Sequence, residues 1–370
     1  MDVISSYALP KPRDYLDEHD MGKSILRSHT SASTLFNWWR HTPWLVPLLR
    51  RLPQPLSPIW DLRALENEDL RDHFRRLRIE AENAMCTTKQ HDDPTASVIE
   101  VVRTSPLLDE HERSFKRILS EADGLLGAGV DSPASIMTSF VFHVLSSPQV
   151  FEKLRAELNT IPGYKDGHGS IECKDNLDVA NISASASTLA SFDIIPTRTL
   201  LDLDYLQATI REALRMKPVI LSRLPRVNHY AAMTYTTGSA SSAPSPGKTY
   251  TFPPGTTMSM NIADCLNDPA VFLEPNKFRP ERWLEVSASS EQRARMEKAF
   301  VPFSKGMRNC IGQEMARREL TILLGNLFRT FDMELCEGVS ARDISGAHDF
   351  FGPLLPRDSK GLRVRVKGLY

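Results

Sequence analysis

The chain has 370 residues, of which 41% are hydrophobic and 25% are charged, and its formal net charge is −1. This is enough apolar material for a sizeable core, and the balanced charge gives no reason to expect a nucleic-acid partner. The five cysteines are odd in number and scattered, which argues against a disulfide framework or a thiolate zinc site. We therefore expect a reducing compartment and a chemical role for one cysteine.

The N-terminal part of the sequence predicts no membrane anchor. No apolar run is long enough to span a bilayer, and residues 1–20 are too polar for a secretory signal. Residues 34–52 are rich in Trp and Leu and end in basic residues, which favours contact with a membrane surface or a cover over an apolar channel. A helix–turn–helix that packs its aromatic side chains inward explains the same pattern equally well.

The rest of the chain predicts a mainly α-helical domain with short strands near its end. Helices are predicted at 61–85, 109–146, 149–158, 204–216 and 313–331, with a short apolar segment at 96–102. Strands are predicted at 249–252 and 256–260, around a Pro-Pro-Gly turn, and from 332 onwards. Two stretches look like flexible insertions, 162–191 and 236–248. The helix at 109–146 is apolar all round in its middle, so it should run through the interior.

The most informative segment runs from Phe303 to Gly312, with the sequence FSKGMRNCIG. A thiolate that binds iron needs a fixed sulfur, shielding from water and nearby donors. Gly306 and Gly312 permit tight turns that bring amide N–H groups near the sulfur of Cys310, and Phe303 can cover the loop. A helix begins directly after Cys310, and its positive end favours the thiolate. Arg308 is placed to reach a carboxylate on a bound cofactor.

A buried cysteine before a helix would be the simpler explanation for Cys310 alone. The whole segment, however, resembles the haem-binding signature FxxGxRxCxG of the cytochrome P450 family at every fixed position. The resemblance implies a mainly α fold with small β-sheets, one domain over residues 1–370, and haem b bound through Cys310. Arg308 would contact one haem propionate, and Arg226 would contact the second, with Arg223 as the competing position.

Two further segments agree with this resemblance. Glu212 and Arg215 are three residues apart on one helix face, where they can pair, although most such pairs are solvated surface charges. Together with Arg282 in the later segment FRPERW, they resemble the ExxR helix and the PERF-like segment of the family. The implied role is structural: a buried ion network that locks the cysteine loop in place, which is tolerable only when fully paired.

The long apolar helix contains Ala128, Gly129, Asp131 and Ser132 in the sequence AGVDS, which is similar to the family's oxygen-binding segment. The resemblance implies that Asp131 and Ser132 relay protons to bound dioxygen and that Gly129 leaves room above the haem. Pro133 stands where the family usually has a second hydroxyl residue, and we expect it to kink the helix because it lacks an amide hydrogen. An acid that caps a broken helix is the alternative interpretation of Asp131.

The resemblance implies an enzyme that inserts one oxygen atom from dioxygen into an apolar small molecule of fungal secondary metabolism, a terpenoid or polyketide. Electrons would come from NADPH through a flavoprotein reductase. Lys305, Arg317 and Arg318 are candidates for the reductase-docking face, although a solvated helix surface explains them equally well. Leu125 and Leu126 are expected to line the substrate pocket. The alternatives are a haem-binding remnant without catalysis and a dioxygen-independent isomerase or dehydratase.

The resemblance also implies that the chain begins in the middle of the family's architecture. Residues 2–20 resemble an internal segment of fungal members, and the membrane anchor and first helices of the family have no counterpart. We therefore expect either a fragment or misjudged gene model of a working enzyme, or a naturally short product. The family is expected at the surface of the endoplasmic reticulum membrane, and a chain without an anchor is expected on its cytoplasmic face or in solution.

Overall fold

The computed structural model is mainly α-helical, with small antiparallel sheets, as the sequence predicts. It describes residues 1–19, 22–23, 41–42, 44, 68–161, 194–237, 247–284, 289–350 and 352–370. Within them the α-helices are α1 (Asp2–Ala8), α2 (Glu68–Met85), α3 (Val98–Thr104), α4 (Phe115–Leu145), α5 (Pro148–Leu158), α6 (Thr197–Leu201), α7 (Asp204–Met216), α8 (Ile262–Leu266), α9 (Ser290–Ala299) and α10 (Gln313–Thr330). Short 3-10 helices lie at Tyr15–Asp17, Pro280–Trp283 and Ala341–Asp343.

The strands form two-stranded antiparallel sheets. They are β1 (Arg226–Val227), β2 (Met233–Thr236), β3 (Thr249–Phe252), β4 (Thr257–Met258), β5 (Phe331–Leu335), β6 (His348–Phe350), β7 (Gly352–Leu354) and β8 (Val364–Leu369). β1 pairs with β4, β2 with β3, β5 with β8, and β6 with β7. The two strands predicted around the Pro-Pro-Gly turn are therefore both present, but each pairs with an earlier strand and not with the other.

Local hydrogen bonds explain where α3 and α4 begin. α7 has the bounds that its sequence predicts, and α10 differs from its predicted end by one residue. α4 begins at Phe115, six residues later than predicted, because the preceding residues form turns in which the Asp109 carboxylate accepts the N–H of Glu112 at 2.9 Å. α3 starts with a capping box, in which the Glu100 carboxylate accepts the backbone N–H of Ser97 at 2.8 Å.

α4 connects two clusters of buried apolar side chains. Its C-terminal half packs with α5, α7 and α10 in one cluster, through Ile136, Phe140 and Val144. Its N-terminal half packs with α1, α2 and α3 in the other. The helix is unbroken through Pro133, so the proline does not end it.

The expectation that α4 is interior all round is wrong for one face. Exposed residues are spaced along that face, among them Asp123, Gly124, Gly127, Ala128 and Asp131. Composition does not reveal this face, because Gly124, Gly127 and Ala128 are small and carry no charge. By length and composition, α4 can cross a membrane, which corrects the expectation that no apolar run is long enough, and 44% of its most apolar stretch is buried inside the protein.

α5 links the helices that carry the site. The Glu157 carboxylate accepts the first free N–H groups of α7, from Tyr205 at 2.7 Å and Leu206 at 2.8 Å. The Arg155 guanidinium donates to the carbonyls of Phe328 at 2.5 Å and Arg329 at 2.9 Å, at the C-terminal end of α10. A carboxylate thus meets the positive end of one helix, and a guanidinium meets the negative end of another.

Several predictions fall outside the described residues. The insertion at 162–191 lies there entirely, and the segment at 34–52 is described only at residues 41–42 and 44. Of the insertion at 236–248, only the ends are described, where the N–H of Thr237 donates to the carbonyl of Lys248 at 2.9 Å.

Candidate active site and cysteine loop

Three backbone hydrogen bonds fold the cysteine loop. The N–H of Ser304 donates to Val301 at 3.0 Å, that of Asn309 to Gly306 at 3.1 Å, and that of Cys310 to the carbonyl of Phe303 at 2.9 Å. Gly306 has φ +82°, a conformation that side chains disfavour, so the predicted need for glycine holds at this position. The loop is therefore a closed turn that presents Cys310 at its end.

The Cys310 side chain is exposed, unlike the buried structural cysteine that was the alternative. Its apolar neighbours Met307 and Ile311 are also almost fully exposed, at 101% and 96%. Gly312 is the N-cap of α10 and has no side chain to satisfy the free N–H groups of the first turn. The positive end of α10 therefore begins two residues after Cys310.

The basic residues near the loop have different surroundings. Lys305 donates to the carbonyls of Glu297 at 3.0 Å and Lys298 at 2.9 Å, at the end of α9. The Arg317 guanidinium lies 5.7 Å from the centre of the Phe303 ring. Arg318 is exposed on α10.

The predicted propionate arginines are exposed. Arg308 lies in the cysteine loop, and Arg223 and Arg226 lie after α7. Arg226 donates to the carbonyl of Pro225 at 3.0 Å.

The predicted oxygen-binding segment lies on the exposed face of α4. Asp131 and Ala128 are exposed, and the hydroxyl of Ser132 donates to the carbonyl of Ala128 at 2.7 Å. This bond occupies the hydroxyl hydrogen of Ser132 and leaves its oxygen able to accept another. An acid and a hydroxyl are therefore adjacent on α4, as a proton relay requires.

Two expectations for this helix need correction. A Cβ atom added to Gly129 would lie 2.6 Å from Cγ1 of Ile4, so the space beside Gly129 is filled by α1. Gly127, by contrast, has no atom within 4 Å of such a Cβ. Leu126 is fully buried and Leu125 packs against the same cluster, so both face the core and not the exposed face. The side of α4 that carries Gly129 was expected to face the cofactor. It packs against α1 instead, so α4 is rotated relative to the expectation.

The predicted ion network is present and buried. The Glu212 and Arg215 side chains are 0% exposed, and Arg215 donates to both carboxylate oxygens, at 2.9 and 3.0 Å. Nε of Arg282 donates to Oε1 of Glu212 at 2.9 Å. The guanidinium of Arg215 also donates to the carbonyls of Leu266 and Pro275, at 3.0 and 2.7 Å. Burial of these charges is therefore matched by hydrogen bonds.

Two members of the network were not identified from the sequence. The indole Nε1 of Trp283 donates to Oε2 of Glu212 at 2.9 Å, and the backbone N–H of Arg279 donates to Oε1 at 3.0 Å. The Trp283 ring contacts Phe300, with centroids 4.9 Å apart, and Phe300 lies three residues before Phe303. Trp283 therefore joins the network to the start of the cysteine loop. The indole N–H of Trp283 in the FRPERW segment is the sequence signal that could have found it, because such a donor usually has a hydrogen-bond partner.

Comparison with known proteins places these features in a family. The family model "Cytochrome P450" matches residues 1–359, and the chain therefore belongs to the cytochrome P450 family. Over 99% of its length it is 29% identical to N-acetyltryptophan 6-hydroxylase ivoC of Emericella nidulans. It is 33% identical over 100% of its length to cytochrome P450 monooxygenase sdnE of Sordaria araneosa, and 30% identical over 99% to tryptophan 6-hydroxylase fscE of Fusarium equiseti.

The chain spans 63% of ivoC, 65% of sdnE and 63% of fscE, slightly less than two thirds of each. Membership of the family implies a haem cofactor. The residues present fit such a group in their chemistry: the loop presents an exposed sulfur in Cys310, and Arg308 and Arg226 are exposed cations that suit carboxylates. The exposed face of α4, with Ala128 and Asp131, offers small residues and one acid.

Proposed function

We propose that this chain binds haem b through the thiolate of Cys310 and belongs to a monooxygenase of secondary metabolism. The observation that supports the proposal best is the exposure of Cys310 at the end of a closed loop, where a helix begins. Cys86 is exposed as well, so the support comes from the closed loop around Cys310 and the helix end beside it, and not from exposure alone. Phe303, Gly306 and Gly312 shape this loop, and Arg308 and Arg226 bind the two propionates.

Haem bound in this way supplies the binding and activation of dioxygen. The reaction consumes one dioxygen, two electrons and two protons, and it yields one hydroxylated product and one water. Asp131 and Ser132 move the protons. The Ser132 hydroxyl donates to the carbonyl of Ala128, and its oxygen is able to accept a proton from a second donor. To pass a proton on, the hydroxyl must release its hydrogen bond to Ala128. Ala128 leaves the face open beside them.

The electrons come from NADPH through a flavoprotein reductase. An acidic partner suits the basic surface beside the cysteine loop. Arg318 and Arg317 contribute to this surface, and Lys305 contributes less because its amine is held by the carbonyls at the end of α9. Replacement of Arg318 should therefore slow reduction more than replacement of Lys305.

The substrate is an apolar small molecule, and we keep a terpenoid or polyketide as the proposed class. The names of two relatives support an aromatic amino acid derivative as a second class, since ivoC and fscE are named for hydroxylation of N-acetyltryptophan and of tryptophan. Titration of the haem absorption with members of both classes separates them. A shift of the absorption band with one class alone identifies the substrate type.

The test of the proposal is the absorption spectrum of the reduced protein with carbon monoxide. A far-red-shifted Soret band is expected, and the band position of histidine ligation contradicts the proposal. Cys310→Ser should abolish the red-shifted band, whereas Cys86→Ser, at another exposed cysteine, should keep it. Substrate-dependent consumption of dioxygen and NADPH then distinguishes a monooxygenase from a haem-binding remnant and from a dioxygen-independent isomerase.

A further inference from the structure

His143 lies in the last turn of α4, twelve residues after Asp131, and the proposed reaction does not use it. Its imidazole stacks on the ring of Phe278, with centroids 4.7 Å apart and planes at 8°. The ring of Phe142 meets it edge-on, at 5.3 Å and 75°. The end of α4 is thus attached to the segment that leads into Pro280–Trp283 by one ring stack.

The segment that receives this stack serves the ion network. Phe278 directly precedes Arg279, and the backbone N–H of Arg279 donates to Oε1 of Glu212 at 3.0 Å. A displacement of Phe278 would therefore displace a donor to the Glu212 carboxylate. His143 therefore contacts the network indirectly, through Phe278 and the adjacent Arg279. Asp131 lies on α4, as His143 does.

The charges that face His143 come from α7. The pKa of His143 is lowered to about 4, chiefly because the ring is buried. The Glu212 carboxylate opposes this shift, and the cations of Arg215 and Lys217 add to it. Lys217 is itself largely buried, which lowers the pKa of its amine, and its Nζ donates to the carbonyl of Ile344. The imidazole is therefore neutral at physiological pH, and a proton on it would place a third cation beside two others.

We propose that His143 is a positioning residue: its neutral ring, stacked on Phe278, holds the end of the acid-bearing helix α4 against the segment that completes the Glu212 network. The proposal predicts a specific acid sensitivity. The unfolded chain takes up a proton on His143 as the pH falls below about 6.5, whereas the folded chain does so only near 4. Folding therefore weakens by up to about tenfold in equilibrium constant per pH unit between these values.

The test uses two substitutions of His143 and one control. His143→Phe keeps a ring that can stack and removes the titration, and His143→Ala removes both. His91→Gln is the control, because it changes an exposed histidine that takes no part in this ring stack. Denaturant unfolding of each holoprotein is measured at intervals from pH 7.5 to pH 4.5, and the red-shifted carbon monoxide band is followed in parallel.

The His143→Phe protein should retain its stability at pH 7.5 and lose up to about tenfold less in unfolding equilibrium constant per pH unit than the parent. His143→Ala should be destabilised at every pH, and His91→Gln should follow the parent. Equal pH slopes in the parent and the Phe variant overturn the proposal, as does an Ala variant as stable as the Phe variant. The effect on the band rests on the proposed function; a protein without that band at pH 7.5 refutes haem ligation, while the unfolding profile still decides the role of His143.

Discussion

The Glu212 network and the Cys310 loop are neighbours in the fold with opposite physical character. In the network, both carboxylate oxygens of Glu212 are buried and accept bonds from two arginines, an indole and a backbone N–H. In the loop, Cys310 is exposed, backbone bonds close the turn, and the Lys305 side chain donates to carbonyls at the end of α9. The chain therefore satisfies its scaffold charges internally and leaves its candidate ligand turned outward. Substitutions in the two regions should separate stability from cofactor binding.

The largest effect is expected for Arg215→Ala. This substitution leaves the Glu212 carboxylate buried with one partner fewer, which costs about 3–5 kcal/mol of unfolding free energy. Haem content should fall with it, because the network supports the start of the cysteine loop through Trp283 and Phe300. Denaturant unfolding and the haem-to-protein absorbance ratio measure the two effects. Arg295→Ala, in an exposed pair with Glu291, is the matched control and should cost less than about 0.5 kcal/mol.

Cys310→Ser completes the contrast. Because Cys310 is exposed, its replacement should change the unfolding free energy of the haem-free protein by less than about 0.5 kcal/mol while it removes the haem. If Arg215→Ala retained full haem content, the support that the network gives to the loop would be refuted. If Cys310→Ser destabilised the haem-free chain as much as Arg215→Ala, the division between scaffold and ligand would be wrong.

The sequence predicts local features of this molecule better than it predicts how faces turn. α7 and α10 follow from the periodicity of their apolar residues, and the pairing of Glu212 with Arg215 follows from their spacing on one helix. Trp283 was not assigned to the network, because its contact with Glu212 spans 71 residues of sequence. Arg282, at a similar separation, was assigned only through the family resemblance. The rotation of α4 was missed for a related reason. An evenly apolar helix does not show which side α1 will cover, so Gly129 was expected to face the cofactor and faces Ile4.

Gly129 and Gly127 sharpen the comparison between a closed and an open face. Gly129→Ala places a Cβ 2.6 Å from Cγ1 of Ile4, and the resulting overpacking should cost about 1–3 kcal/mol. Gly127→Ala meets no atom within 4 Å and should stabilise the helix by about 0.5–1 kcal/mol, because alanine loses less conformational entropy. Thermal or denaturant unfolding of the haem-free proteins gives both values.

A second substitution decides whether contact with α1 is the cause. Ile4→Val removes one methyl group from the crowded side, so the double variant with Gly129→Ala should be more stable than the sum of the single effects predicts. Equal destabilisation by Gly127→Ala and Gly129→Ala would mean that α4 is not turned as described.

A smaller effect than that of Arg215→Ala is expected at Glu157, which stabilises the scaffold from outside the network. Its carboxylate takes the place of an N-cap side chain for α7, since Leu203 at the N-cap has none to offer. Glu157→Ala should therefore cost about 1 kcal/mol, the usual value of a lost cap. Glu157→Gln keeps an acceptor oxygen but loses the charge at the positive helix end, so it should cost less, about 0.3–1 kcal/mol. Glu152→Ala, at an exposed position of the same helix, controls for the loss of an acid from α5.

The salt dependence of unfolding separates the contribution of the charge from that of the hydrogen bonds. Added salt should shrink the difference between the parent and Glu157→Gln, because it screens the charge and leaves the hydrogen bonds. A difference that persists unchanged in high salt would assign the effect of Glu157 to hydrogen-bond geometry alone, and a cost for Glu152→Ala equal to that of Glu157→Ala would remove the cap from the description of α7.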